Sequence, residues 1–222
     1  MRRHVIRAGI AVVATVIVAW ADFVVEDWSK YPVGTTGAPP GWEKQNWGSP
    51  KYDFAIVDLD GRRGLHMKSR DEGSTISKDI KGKVDLRKTP ILEWSWRPVK
   101  LPQGGNSCRK EVDDQAAQVF VAWRRFPELV RSRVIGYVWD STLPVGTTCK
   151  SEKTTTVTYM VLRSGAKELG TWVTERRNIR DDFRKLYGED ADNPDALSIS
   201  IDSNDTKTES ESYVGTIVFK ER

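Results

Sequence analysis

Apolar and polar residues alternate in short runs along this chain, broken by clusters of Gly, Pro, Asn, Asp and Ser. That period of two is the mark of half-buried β-strands. In Ala117–Trp123 it puts Val119, Val121 and Trp123 on one face, and near the C-terminus Leu197, Ile199 and Ile201 alternate with Ser198, Ser200 and Asp202. Tyr213, Gly215, Ile217 and Phe219 are expected along one face of a last strand. Residues 157–162 are apolar or β-branched at nearly every position, as in a central strand buried on both sides. Further strands are predicted over residues 23–26, 52–58, 65–69, 74–80, 134–140 and 171–174. Ten or so short strands with turn signals at comparable spacing predict an all-β fold, an antiparallel β-sandwich.

Two segments sharpen that picture. In the run Ile91-Leu92-Glu93-Trp94-Ser95-Trp96-Arg97, Leu92, Trp94 and Trp96 share one face, with Ile91, Glu93, Ser95 and Arg97 on the other. The tryptophan face suits a sandwich core or a ligand-facing concave sheet, and Glu93 and Arg97 are spaced to form a charged pair. Residues 178–187 break the strand period: Asn178 is a cap-type residue, Ile179, Phe183, Leu186 and Tyr187 recur at helical spacing, and Gly188 is a natural stop. One short α-helix over 179–187 is expected. No internal repeat or second domain is visible.

The ends change the charge argument. Residues 1–21 combine a basic start, a short apolar run and Ala19-Trp20-Ala21, the pattern of a cleaved signal peptide. The apolar run is too short to span a bilayer, so no membrane span is expected in the mature protein, a single domain over 22–222. An exported protein, periplasmic or secreted, follows. Of the 35 Lys and Arg against 31 Asp and Glu, Arg2, Arg3 and Arg7 leave with the signal, so the mature chain is close to neutral. No basic face remains to hold phosphates, and nucleic acid is excluded as a partner. Cys108 and Cys149 lie in polar loops without the further Cys or His a zinc site needs. In an exported protein they are expected to form a disulfide.

A set of short pieces gives the chain a family likeness. They run from Tyr31-Pro32-Val33-Gly34 and Pro40-Gly41-Trp42 through Leu92-Glu93-Trp94-Ser95-Trp96, Asp113-Asp114-Gln115-Ala116-Ala117 and Tyr137-Val138-Trp139. Leu162-Arg163-Ser164-Gly165, the stretch Gly170 to Asn178, Asp181, Asp182, Gly188 and Asp202 to Thr206 complete them. In their order they resemble the bacterial domain-of-unknown-function family 3047, exported proteins of unassigned activity. The family tends to carry an arginine after the DDxAA element, where this chain has Gln118. The resemblance implies a jelly-roll sandwich similar to carbohydrate-binding modules, and almost nothing about activity.

Chemistry-bearing residues are few. His66 is the one histidine of the mature chain, which excludes a multi-histidine metal site, and its strand pattern makes it an ordinary strand residue. Asp113 and Asp114 open a strand after a Gly-rich loop, and Asp181 and Asp182 fall in the first turn of the helix, where the dipole favours negative charge. Asp202, Asn204 and Asp205 follow a strand. An oxygen-only loop of that kind suits Ca²⁺, and turn formation explains the same residues without a metal. Arg176 and Arg177 should point to opposite faces, one held inward by an acid such as Asp113 or Asp114, or else facing a groove to grip an acidic ligand. Trp28, Trp42 and Trp47, with Tyr31, lie in loop-rich sequence where they either meet a sugar or seal the sandwich edge. Trp139, ahead of Asp140, is placed at a rim. Glycoside cleavage would need a carboxyl pair from Asp113, Asp114, Glu93 and Glu175, which no spacing singles out. The catalytic set is therefore left unassigned.

The expected function is a non-enzymatic exported module that binds a glycan or another envelope component through Asp113, Asp114, Trp139, Arg176, Arg177 and Asp181. A polysaccharide-active hydrolase or lyase and a structural subunit of an envelope assembly are the alternatives.

Overall fold

A computed structural model describes residues 22–221. The predicted signal segment lies outside the described residues. Thirteen strands form two sheets packed face to face. One sheet joins β1 (Phe23–Glu26), β3 (Asp53–Leu59), β4 (Arg62–Arg70), β6 (Ile91–Lys100), β11 (Val173–Asn178) and β13 (Glu209–Lys220), in the order β11-β6-β13-β4-β3 with β1 also on β13. The other joins β2 (Glu43–Lys44), β5 (Gly73–Asp79), β7 (Ala117–Trp123), β8 (Arg133–Asp140), β9 (Thr148–Lys150), β10 (Val157–Ser164) and β12 (Ala196–Asp202), in the order β2-β5-β12-β7-β8-β10-β9. The result is a jelly-roll sandwich. Two α-helices interrupt it, the single turn α1 (Glu128–Arg131) and α2 (Ile179–Tyr187).

Period two decides what lies between the sheets. Leu197, Ile199 and Ile201 of β12 and Val119, Val121 and Trp123 of β7 all enter one core cluster. Trp94 and Trp96 are at most 1% exposed and meet edge to face at 5.3 Å. Trp94 lies 5.2 Å from Tyr137, and Trp96 lies 6.0 Å from Trp139. Their face is core, and the ligand-facing reading of these two residues falls. Asn178 caps α2 by accepting from the amides of Arg180 and Asp181, and Gly188 ends it in the left-handed conformation. Phe183 closes the helix onto Trp123, with ring centroids 4.6 Å apart.

Four expectations need correction. The sandwich is not wholly antiparallel, because β10 runs parallel to β8. The segment between them, residues 141–156, first lays down β9 against β10 and only then returns. Tyr213 and Gly215 do not share a face with Ile217 and Phe219. A bulge between Val214 and Ile217 resets the register, so Val214, Ile217 and Phe219 are core while Tyr213 stacks on His66 outside, centroids 4.2 Å apart. The segment predicted as strand over 171–174 starts only at Val173 and runs on to Asn178. Glu93 and Arg97 do not pair, since Glu93 takes Lys220 at 2.7 Å and Arg97 takes Asp60 at 2.6 Å.

Cys108 and Cys149 form the expected disulfide. It ties the loop before β7 to β9, and the fully buried Asp140 holds that loop by accepting from Ser107 and from the amides of Thr142 and Leu143, each at 2.8 Å. On this side β10 has apolar cover on both faces, as predicted: Met160 belongs to the main core, while Tyr159 and Val161 form a second cluster with Val138.

Candidate functional site

On β5 and β12 of the seven-stranded sheet the residues alternating with the core are polar, and they build a site. Thr75 and Ser77 of β5 face Ser200 and Ser198 of β12, joined hydroxyl to hydroxyl at 2.8 and 2.7 Å. Next to this ladder stands Gln118 of β7, whose amide donates to Asp202 at 2.8 Å. Beyond it Tyr159 and Phe120 pack across Gly136, where a Cβ would come within 2.8 Å of both rings. Only glycine leaves Tyr159 this position.

Loops raise walls around that floor. The Gln45 side chain accepts from Thr75 N at 2.6 Å and donates to the Trp47 carbonyl at 2.8 Å. This fixes the loop so that the Trp47 ring stands 61% exposed. The turn between β4 and β5 supplies Glu72, and the segment ahead of β7 supplies Asp113. Together they enclose a groove of about 470 Å³, lined by Trp47, Glu72, Thr75, Asp113, Tyr159 and Asp202 among others. That volume lies within the range of small-ligand sites.

Two acids of the groove are linked through one residue. Gln115 donates its amide N–H to Asp202 at 2.6 Å and its side-chain amide to Asp113 at 3.0 Å. Asp113 is 4% exposed and also accepts from the Tyr159 hydroxyl at 3.3 Å. Burial pushes its carboxyl up to about 6, against partial relief from Gln115, Lys153 and Tyr159. Asp202 is pushed well above the usual carboxylate range by burial and by the charge of Asp114. Burial likewise raises the Tyr159 hydroxyl, so it stays protonated and donates to Asp113.

The remaining candidates divide between structure and surface. Asp114, fully buried, accepts from the amides of Asp205 and Thr206 at 3.1 and 2.6 Å and so holds the turn after β12. Asp205 pairs with Lys153, and Asn204 donates to Asp205. Of the proposed calcium loop only Asp202 and Asn204 reach the groove, and among the described residues no group of three or more His, Cys, Asp or Glu is arranged to hold a metal ion. Arg177 clamps Asp182, which also accepts from the Tyr137 hydroxyl at 2.8 Å. Its partner is thus Asp182, five residues on, and not Asp113 or Asp114. Arg176 is exposed on the other sheet, 4.0 Å from Glu93. Asp181 is exposed on α2, away from the groove lining.

Trp139 is no rim residue: it is 1% exposed and donates to the Gly165 carbonyl at 3.1 Å. Trp28 and Trp42 are buried and stacked at 5.6 Å, sealing the sandwich edge, so of the three loop tryptophans only Trp47 meets the groove. Glu175 accepts from Arg163 at 2.7 Å and from the Trp96 indole at 3.3 Å, a structural role. Sequence reasoning missed Gln45, Glu72, Gln115 and Lys153. The outward serines of β12 were the one signal that this face is polar.

Residues 40–218 match the model of a family described as protein of unknown function, DUF3047. The chain belongs to this family. No curated protein matches the DUF3047 chain. Among solved structures it is similar to a family 11 carbohydrate-binding module of the cellulosomal cellulase Lic26A-Cel5E of Clostridium thermocellum, at 10% identity and TM-score 0.46 over 92% of this chain and 96% of that one. A family 30 carbohydrate-binding module of Cel9D-Cel44B, also of Clostridium thermocellum, has 12% identity and TM-score 0.48, with 91% and 99% covered. The xyloglucanase domain of NopAA, a type three effector from Sinorhizobium fredii, has 12% identity and TM-score 0.43, with 85% and 96% covered.

Proposed function

We propose that this DUF3047 protein is an exported module that binds a glycan in the groove on the outer face of its seven-stranded sheet. One observation carries the reading: a flat indole, Trp47, is held exposed beside a floor of hydroxyl, amide and carboxyl groups. A sugar ring has an apolar face that stacks on an indole and a rim of hydroxyls that need donors and acceptors. The groove offers both within one enclosure. The Cys108–Cys149 disulfide supports export, since such bonds persist in oxidising compartments.

Titrating the protein with soluble polysaccharides and oligosaccharides, followed by tryptophan fluorescence, tests it. Trp47→Ala should weaken binding by about 2 kcal/mol, roughly 30-fold, as truncation of a central aromatic contact does. It should leave the melting temperature near that of the wild type, because the ring is exposed. Unchanged affinity in that variant would remove the groove from consideration.

A second reading has its own support. Asp113, with its carboxyl near 6, and Asp202 share the groove, and a carboxyl poised near the working pH is what a general acid requires. Glycan cleavage through this pair would appear as new reducing ends, abolished in Asp113→Asn. Binding without any release of reducing ends leaves the module reading alone.

A further inference from the structure

Three of the four carboxylates of the groove have no hydrogen-bonded cation. Four acids line it: Asp71, Glu72, Asp113 and Asp202. Asp71, at the exposed lip, pairs with Lys207 at 2.9 Å. The other three are hydrogen-bonded only by neutral groups among the described residues. Glu72 is 6% exposed, and its Oε2 accepts from Ser74 at 2.7 Å and from the Lys51 amide at 3.1 Å, while its Oε1 is buried without a partner. Asp113 accepts from Gln115 and Tyr159, and Asp202 from Gln115 and Gln118. Lys153 is the one Lys or Arg of the lining, and it is paired with Asp205.

Desolvated carboxylates without a counter-charge are costly, and the cost falls when a cation arrives. A bare metal ion would need these acids converging on one point, and no such convergence exists among the described residues. They stand instead side by side on neighbouring strands, from the turn between β4 and β5 (Glu72) to the end of β12 (Asp202) and the approach to β7 (Asp113). A row of acids on successive strands suits cationic groups repeated along a chain.

We propose that the groove is selective for glycans carrying free amino groups, a glucosamine-type polymer, with ring stacking on Trp47 and the ammonium groups received by Glu72, Asp113 and Asp202. The inference rests on the reading of the groove as a glycan site. It adds the charge of the ligand.

Isothermal titration with three β-1,4-linked oligomers of equal length tests it at neutral pH: glucosamine, N-acetylglucosamine and glucose. The free-amine oligomer should bind at least about tenfold more tightly than the other two, with the advantage shrinking as salt is raised. In the double variant Glu72→Gln with Asp202→Asn that advantage should disappear. Thermal melting of the variant checks that it folds. Equal affinity for all three oligomers overturns the amine selectivity and leaves the glycan groove standing. A preference that survives in the folded double variant overturns the siting. No affinity for any glycan, these three included, overturns the groove reading and this inference with it.

Discussion

Glu26→Ala is expected to lower the stability of the protein by about 3–5 kcal/mol, the scale for breaking a buried ion pair. For a domain of this size that is a fall in Tm of roughly 10 °C. Glu26 ends β1 at 3% exposure and gathers the N-terminal loop around one carboxylate. It accepts from the Trp28 amide at 3.2 Å, the Tyr31 hydroxyl at 3.3 Å, the Trp42 indole at 3.0 Å and the Lys78 ammonium at 2.8 Å. Removing it strands the Lys78 ammonium, whose own pKa burial already lowers, and an indole N–H beside it. Burial raises the Glu26 carboxyl, yet the hydrogen bonds from Lys78 and Trp42 and the Lys78 charge outweigh that and hold it below its ordinary value of 4.5. A lowered carboxyl stabilises above its unfolded pKa, so the contribution is complete at neutral pH and is lost as the solution is acidified below about 4.5. Glu26→Gln, which keeps an acceptor but no charge, should lose less. Chemical denaturation at neutral pH measures both, and a loss below about 1 kcal/mol for Glu26→Ala would show that water replaces the carboxylate at little cost.

This cluster marks where the sequence stops being legible. Alternation is written residue by residue, so the β12 and β7 faces, the Trp94 and Trp96 core positions and the capped helix over 179–187 could be read directly. Trp28 and Trp42 stand in a Gly- and Pro-rich loop with no period, and their burial follows from Glu26 and Lys78, which local pattern cannot pair. The bulge in β13 puts Tyr213 on the opposite face from Ile217 because one extra residue slips in against β6, and a slip leaves the composition of the strand unchanged. The sequence lets one of Arg176 and Arg177 be held by an acid such as Asp113 or Asp114, but the chain turns straight into α2 and brings Asp182 to Arg177 first. The groove is the least legible of all. Glu72, Asp113 and Asp202 come from three distant segments, and only the sheet order β5-β12-β7 places them side by side.

Asp113→Asn should have the opposite sign from Glu26→Ala: it is expected to stabilise the protein at neutral pH by about 2–3 kcal/mol, a rise in Tm of roughly 6 °C. The carboxyl of Asp113 is raised from 3.8 to about 6 by burial, so ionising it in the folded state costs more than ionising it in the unfolded chain. A raised carboxyl therefore destabilises above its folded pKa, and the penalty vanishes as pH falls from about 6 to about 4. Asparagine keeps the oxygen that receives Gln115, while its amide N–H donates to the Tyr159 oxygen and the Tyr159 O–H has to turn to another acceptor, a cost that trims the gain. The charges facing position 113 divide: Lys153 loses its attraction to the Asp113 carboxylate, while Asp205 and Asp202 lose a repulsion. Lys153 remains paired with Asp205, and Asp202, raised in part by the charge of Asp113, is relieved when that charge is gone. Melting curves from pH 4 to pH 8 should show wild type and variant coinciding at the acid end and separating above about 6. A variant less stable at neutral pH, or a gap that does not change with pH, would mean that Asp113 is ionised at no cost. Glycan affinity should fall in the same variant that gains stability, because a charge kept at a cost to folding is expected where a ligand completes it.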